Sequence, residues 1–301
     1  MKNLLSIEQL AREDLDRLLT ASTKIKRSRG RHTKMPLAGQ TWAMLFTKSS
    51  TRTRVSFEVG IRELGGNVLF LTPNDAQLGR GELIKDTARV LGRMLHGAVI
   101  RTFAQSDVEE FASYAKIPTI NALTDAEHPC QIITDIFTFQ EKRGSIRNRV
   151  VTFVGDGACN VPASWIFAAA KLDFELRIAA PKAFQPTKEF LRRVPNASKR
   201  IVCTEDLQGA ARGADLLYTD VWVSMGKEDE SAKRLKALAR YQINRQLVKL
   251  ANPDALVMHC LPAYRGKEID EATFEEHAAT IFDQAENRLH VQKAILSWAV
   301  A

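Results

Sequence analysis

Thr41-Trp42-Ala43-Met44-Leu45-Phe46, followed at once by Thr47-Lys48-Ser49-Ser50-Thr51-Arg52-Thr53-Arg54, is the stretch on which the fold turns. A short β-rich run ends in a cluster of hydroxyl and cationic side chains. Phe57, Ile61 and Leu64 then recur at i, i+4 and i+7 until Gly65-Gly66 breaks the pattern. That order reads as strand, loop, amphipathic helix. The unit repeats outward in both directions. Asn67–Leu71, Ala98–Arg101 and Thr119–Asn121 are further short strands in the first half. Val150–Val154, Leu176–Ala180, Arg200–Cys203, Leu216–Thr219, Leu256–His259 and Thr280–Phe282 follow in the second, with helical patterns such as Ala163–Leu172 between them. Strand-helix alternation throughout predicts an α/β protein whose parallel sheets carry helices on both faces.

At 301 residues the chain has room for two domains of roughly 150 residues each. The polar stretch Glu141–Arg149 is the expected boundary. The prediction is two doubly wound parallel-sheet domains, 1–141 and 142–285, with the active site in the cleft between them. A final helix, about Glu286–Val300, is expected to return to the first domain. Composition fits a globular chain, with 45% apolar and 26% charged residues, and excludes collagen-like or fully disordered sequences. No apolar run nears the ~18 residues of a membrane span. Glu8, Arg12, Glu13, Asp14 and Asp16 fall where a signal peptide would be apolar, so a cytoplasmic setting without membrane contact is expected.

The formal charge of +8 favours anionic partners without choosing among them. The basic run Lys24 to Lys34 has no interleaved aromatic on which a base could stack, so it reads as the solvated end of a helix marked by Leu15, Leu18, Leu19 and Ile25. Cys130, Cys159, Cys203 and Cys260 form no CxxC pair, which argues against a zinc module or a thioredoxin-like site.

Ligands in open α/β sheets bind beyond the carboxyl ends of strands, and the unusual residues cluster there. Ser50, Thr51, Arg52 and Thr53 bring hydroxyls and a guanidinium to a helix N-terminus, where backbone N–H groups and the dipole favour an anion. There is no GK[ST], so this is not an NTPase P-loop. Arg101 ends its strand; His128 and Gln131 flank Pro129, which suits the first turn of a helix. Gly155-Asp156-Gly157 invites a dinucleotide reading, but the third glycine and an acidic residue after the next strand are missing. Asn160 in the same turn can still present an amide. Asp220 follows a strand and suits an ammonium. His259 and Cys260, adjacent on a strand, should point to opposite faces and so not share a metal. Arg288 at the start of the last helix makes sense beside a bound anion.

Taken together these motifs resemble the aspartate/ornithine carbamoyltransferase family over essentially the whole chain. Ser50-Thr51-Arg52-Thr53-Arg54 is similar to that family's carbamoyl phosphate loop, and His128-Pro129-Cys130-Gln131 to its second signature. Asp220 through Gly226 and His259-Cys260-Leu261-Pro262 look like the ornithine branch. The resemblance implies transfer of the carbamoyl group of carbamoyl phosphate to the side-chain amine of L-ornithine, giving citrulline and phosphate, a step of arginine metabolism. It assigns Ser50, Thr51, Arg52, Thr53, Gln77, Arg101, His128, Gln131, Cys260, Leu261 and Arg288 to carbamoyl phosphate. It assigns Asn160, Asp220, Ser224 and Met225 to ornithine, and makes Arg101, His128 and Cys260 the catalytic set. Neither a metal nor an organic cofactor is implied. Assembly as a homotrimer, or a multiple of trimers, with Gln77 lent by a neighbour is. Two positions depart from the family's habit: Cys159 stands where many relatives carry Asn, and His96 where Asp is common. The competing expectations are another amine acceptor, such as putrescine or a modified ornithine, and a non-catalytic basic protein that binds nucleic acid.

Overall fold

The computed structural model describes residues 2–31, 33–72, 81–223, 226 and 228–301. The chain divides into two compact units, residues 1–137 with 286–301, and residues 138–285.

Unit 1 is built on four parallel strands, β1 (Thr41–Phe46), β2 (Asn67–Leu71), β3 (Gly97–Arg101) and β4 (Thr119–Leu123), in the order β2-β1-β3-β4. Helices α1 (Arg12–Arg27), α2 (Thr51–Glu63), α3 (Ile84–Leu91), α4 (Gln105–Ala115) and α5 (Pro129–Arg143) connect and cover them. The central strands are buried nearly end to end, as a sheet covered on both faces requires. Trp42 lies so close to its register partner Gly97 that a Cβ there would sit 2.6 Å from the indole. Only glycine fits. The sheet is extended at one side by the N-terminus, where Leu4 pairs with Ile120.

Unit 2 has five parallel strands, β5 (Val150–Val154), β6 (Glu175–Ala179), β7 (Ile201–Thr204), β8 (Leu216–Thr219) and β9 (Leu256–His259), in the order β7-β6-β5-β8-β9. Its helices are α6 (Asn160–Leu172), α7 (Lys188–Arg192), α8 (Ala197–Arg200), α9 (Leu207–Ala211), α10 (Ser231–Leu238) and α11 (Arg245–Val248). The last helix, α12 (Glu271–Val300), begins in unit 2 and ends in unit 1. In each sheet the strand order reverses once, between β1 and β3 and between β5 and β8. A ligand crevice is expected at such switch points.

Two expectations fail at the C-terminus. Thr280–Phe282 is not a strand, and the last helix starts at Glu271 rather than near Glu286. The β-favouring triplet is overridden by packing. Phe274, Ile281, Gln284, Asn287, Val291 and Ile295 are buried at helical spacing, so one continuous helix hides them all. Arg288 consequently lies in mid-helix, and the dipole argument made for it does not apply. The unit division also falls inside α5, ahead of the polar stretch Glu141–Arg149.

Candidate active site

In unit 1 the residues singled out in the sequence gather beyond the carboxyl ends of β1, β3 and β4. Ser50 is the N-cap of α2: its backbone is extended and its hydroxyl accepts from the Thr53 N–H at 3.3 Å. Such a cap contributes about 1 kcal/mol. The first turn of α2 holds no acidic residue. Arg52 and Arg54 stand there instead, where the helix dipole disfavours cations unless an anion docks. Arg54 stacks on Phe70, 3.9 Å from the ring centroid. Arg52 is half-buried and Thr51 exposed.

Arg288 draws the group together. Its Nη1 donates to Gln131 Oε1 at 2.6 Å and its Nη2 to Thr53 Oγ1 at 2.8 Å. Ser50 Oγ in turn donates to Thr53 Oγ1, and Gln131 Nε2 donates to Asp135. Both oxygens that hold Arg288 are neutral, so neither bond brings a countercharge. His128 is buried in the same place. Burial, and then the guanidinium groups of Arg288 and Arg101, push its imidazolium well below the usual histidine range. A neutral imidazole between two arginines offers a hydrogen bond without adding a third fixed charge. The Cys130 thiol is bonded to the Asn121 carbonyl, and burial raises its pKa to about 12 despite the nearby Arg288 charge.

In unit 2 the register lines up Val154, Thr219 and His259, so Gly155, Asp220 and Cys260 each follow a strand at one level. Cys260 Sγ donates to Asp220 Oδ1 at 2.9 Å. Burial pushes the Asp220 carboxyl upward despite that bond. Asn160 is the first residue of α6, behind the N-cap Cys159, whose thiol bonds to the Asp156 carbonyl. Leu261 adopts φ +61°, a left-handed backbone that costs an ordinary side chain about 1 kcal/mol or more. The Gly155–Gly157 turn is structural. Gly155 takes φ +129°, a Cβ on Gly157 would meet Ile178 at 2.3 Å, and Asp156 forms a buried pair with Arg234 at 2.6 Å.

One expectation about this unit needs correction. β9 ends at His259, so Cys260 lies outside the strand and alternation does not separate the two side chains. Ligand atoms of Asp220, His259 and Cys260 lie within 4.8 Å of one another, the one such group among the described residues. All three are engaged already. His259 Nδ1 accepts from the Leu261 N–H and its Nε2 faces Glu268, while the Cys260 thiol is spent on Asp220. A metal ion there would have to displace these bonds.

Gln77, Ser224 and Met225 lie outside the described residues. The basic run at the end of α1 and just beyond it is partly consumed within unit 1, where Lys26 bonds to Asn287 and Arg29 pairs with Glu63. His96 is engaged locally: its ring Nδ1 accepts from the Thr41 N–H, and its backbone N–H donates to the Thr41 carbonyl. Sequence reasoning missed Glu127, which lies just before His128 and accepts from the backbone N–H groups of Ile7 and Glu8. It also passed over Lys48. Nothing in a linear pattern marks either as buried.

The aspartate/ornithine carbamoyltransferase carbamoyl-P binding domain matches residues 2–141, and the Asp/Orn binding domain of the same proteins matches residues 147–299. The chain belongs to the aspartate/ornithine carbamoyltransferase family. Within this family, an ornithine carbamoyltransferase from Akkermansia muciniphila is 54% identical over 99% of this chain and 97% of its own length. The ornithine carbamoyltransferase structure from Pyrococcus furiosus superposes with a TM-score of 0.91 at 41% identity, covering 98% of this chain and 96% of that one. The anabolic ornithine carbamoyltransferase of Campylobacter jejuni gives 0.92 at 40% identity, covering 99% of each.

Proposed function

We propose that this carbamoyltransferase-family chain moves the carbamoyl group of carbamoyl phosphate to the side-chain amine of L-ornithine. The observation that carries the reading is Arg288, held by the neutral oxygens of Gln131 and Thr53 beside a neutral His128 and Arg101. Such a cluster suits a small dianion that also bears a carbonyl. Arg52, Arg101 and Arg288 take the phosphate together with the hydroxyls of Ser50 and Thr51 and the amide of Gln131. Thr53, Arg101 and His128 donate to the carbonyl oxygen, where negative charge grows as the amine attacks.

Unit 2 supplies the acceptor's contacts. Asp220 takes the cationic amine, and Cys260, bonded to it, orients the nitrogen. Asn160 with Ser224 and Met225 holds the α-amino acid end, while Leu261 lines the reacting groups. The bound ammonium first loses a proton to solvent; the neutral amine then attacks the carbonyl carbon and forms a C–N bond. The C–O bond to phosphate then breaks, its electron pair leaves with the phosphate, and the phosphate accepts the amine proton. Rate comes from orientation and electrostatics, with no covalent enzyme intermediate.

The assembly we propose is a cyclic trimer, or a multiple of it, in which a neighbour's Gln77 completes each site. Strand β2 is the edge of its sheet, with no further strand beside it among the described residues and Leu69 exposed, and such edges call for cover. Beside it an open cavity of about 630 Å³ runs from Phe70 and Val55 to Ser50 and Thr51, a space a second copy can fill. No helix among the described residues is long and apolar enough to cross a membrane. Four free cysteines accord with a reducing, cytoplasmic setting. The test is an acceptor panel with carbamoyl phosphate, reading phosphate release with ornithine, putrescine, aspartate, lysine and N-acetylornithine. Ornithine should exceed every other acceptor by at least ~100-fold in kcat/KM. A preference for putrescine or N-acetylornithine would overturn the acceptor reading.

A further inference from the structure

Lys48 lies between the end of β1 and the N-cap of α2, in the loop that leads to Ser50–Thr53, yet only 4% of it is exposed. Its ammonium is hydrogen-bonded to Asp125 and sits 4.1 Å from the ring centroid of Phe103. Those partners belong to two other loops. Phe103 follows β3, just beyond Arg101, and Asp125 follows β4, three positions before His128. In sheet order β4 is not a neighbour of β1; β3 stands between them. Two strand spacings amount to roughly 9–10 Å. A backbone contact from the first loop reaches the end of β3, where the second loop begins: the Thr47 N–H donates to the Arg101 carbonyl at 2.9 Å. The second reaches the third in the same way, through the Asp125 N–H and the Phe103 carbonyl at 2.8 Å. The long lysine stem, passing over the Phe103 ring, ties the outer two directly.

We propose that Lys48 is a positioning residue for the carbamoyl phosphate ligands. Its ammonium clamps the three loops that carry Ser50–Thr53, Arg101 and His128 at the separation the substrate needs. The inference rests on the function proposed above. The Asp125 side chain is 62% exposed, so the carboxylate end of the pair is in water. Its effect is geometric. A displacement near 1 Å in such a constellation can cost on the order of 100-fold in rate.

The experiment is a double-mutant cycle with Lys48→Met, which keeps an unbranched stem without charge, and Asp125→Asn. Steady-state kinetics are read separately for the two substrates, and Lys48→Arg serves as the conservative control. Lys48→Met should raise KM for carbamoyl phosphate at least tenfold. KM for ornithine at saturating carbamoyl phosphate should stay within twofold. The double variant should be no worse than Lys48→Met alone, and Lys48→Arg should recover part of the loss. A KM for carbamoyl phosphate within twofold of wild type in folded Lys48→Met overturns the proposal. So do additive effects in the cycle, which would mean that Lys48 binds the substrate itself. If Lys48→Met does not fold, the exposed Asp125→Asn carries the test. A rise of threefold or more supports the clamp, and an unchanged KM refutes it. Wild-type protein that fails to carbamoylate ornithine overturns the function proposed above and this inference with it, whereas active wild type with indifferent variants removes only the clamp.

Discussion

Arg288 Nη2 donates to Thr53 Oγ1 at 2.8 Å, joining residues 235 positions apart in the chain. Thr53 belongs to the first turn of the helix after the first strand, and Arg288 to the middle of the last helix. The bond makes the C-terminal helix part of the cluster proposed to bind carbamoyl phosphate. It also replaces the reason first given for Arg288: its place beside Thr53, Gln131 and His128, not a helix end, is what suits it to the anion-binding role proposed above.

Asp220→Asn should separate function from stability. Burial raises the Asp220 pKa, so the ionised carboxylate opposes folding increasingly as pH rises from 3.8 through its folded value. At pH 7.5 the neutral amide removes that penalty, and the melting temperature should hold or rise. Ornithine affinity should fall at least ~10-fold, because the ammonium loses its countercharge. Carbamoyl phosphate affinity should stay within twofold. A melting temperature several degrees lower, or weakened carbamoyl phosphate binding by calorimetry, would contradict this assignment.

His128 works in the opposite direction along the pH axis. Its folded pKa lies well below the ordinary 6.5, as do those of His277 and His290 to a smaller extent. The stability gained from keeping these rings neutral is present above pH 6.5 and is lost as pH falls below it. Each can cost up to ~1.4 kcal/mol per pH unit. Urea melts between pH 7 and pH 5.5 should show wild type weakening more steeply than His128→Gln. Parallel slopes would mean that the His128 pKa is the same in the folded and unfolded states, so that burial does not depress it.

The four cysteines should react in two classes. A thiol with a pKa of about 12 has almost no thiolate at pH 8, so Cys130 should resist iodoacetamide in the native state. Cys159 is buried as well, while Cys203 and Cys260 are partly exposed. Peptide mapping should find label on Cys203 and Cys260 only. Ornithine together with inorganic phosphate should slow labelling of Cys260 and leave Cys203 unchanged. Equal protection of both would remove Cys260 from the substrate contacts.

Arg52→Ala should cut kcat/KM for carbamoyl phosphate at least ~100-fold, since a charge-assisted phosphate contact is lost. Under the shared-site assembly, Gln77→Ala in the neighbour should be damaging too. Trimers re-formed from an equal mixture should then regain about a quarter of the wild-type sites, because one half of chains keep Arg52 and one half of neighbours keep Gln77. Two dead variants whose re-assembled mixture stays dead would show that sites are not shared in this way.

Much of this architecture was legible because short buried strands and the loops after them carry strong local signals. Thr41–Phe46, Val150–Val154 and Leu216–Thr219 agree residue for residue with the strands observed. Ser50, Arg101, His128, Asp220 and Cys260 were singled out because chemistry at strand ends stands out from the apolar runs before it. The last helix was misread because Thr280, Ile281 and Phe282 favour a strand locally, and only burial at 3.6-residue spacing over thirty positions overrides them. Lys48 and Glu127 escaped notice for another reason. A charged side chain after a strand ordinarily points to solvent, and its burial depends on partners such as Asp125 and Ile7 that are remote in sequence.

The most direct test of the central claim follows one atom. Carbamoyl phosphate labelled with ¹³C at its carbonyl is incubated with the purified protein and L-ornithine, and the product is examined by NMR. The account predicts a single new ureido carbon bonded to the side-chain nitrogen of ornithine, with one phosphate released for each. Label on the α-nitrogen, or phosphate release without a labelled amino acid, would contradict it.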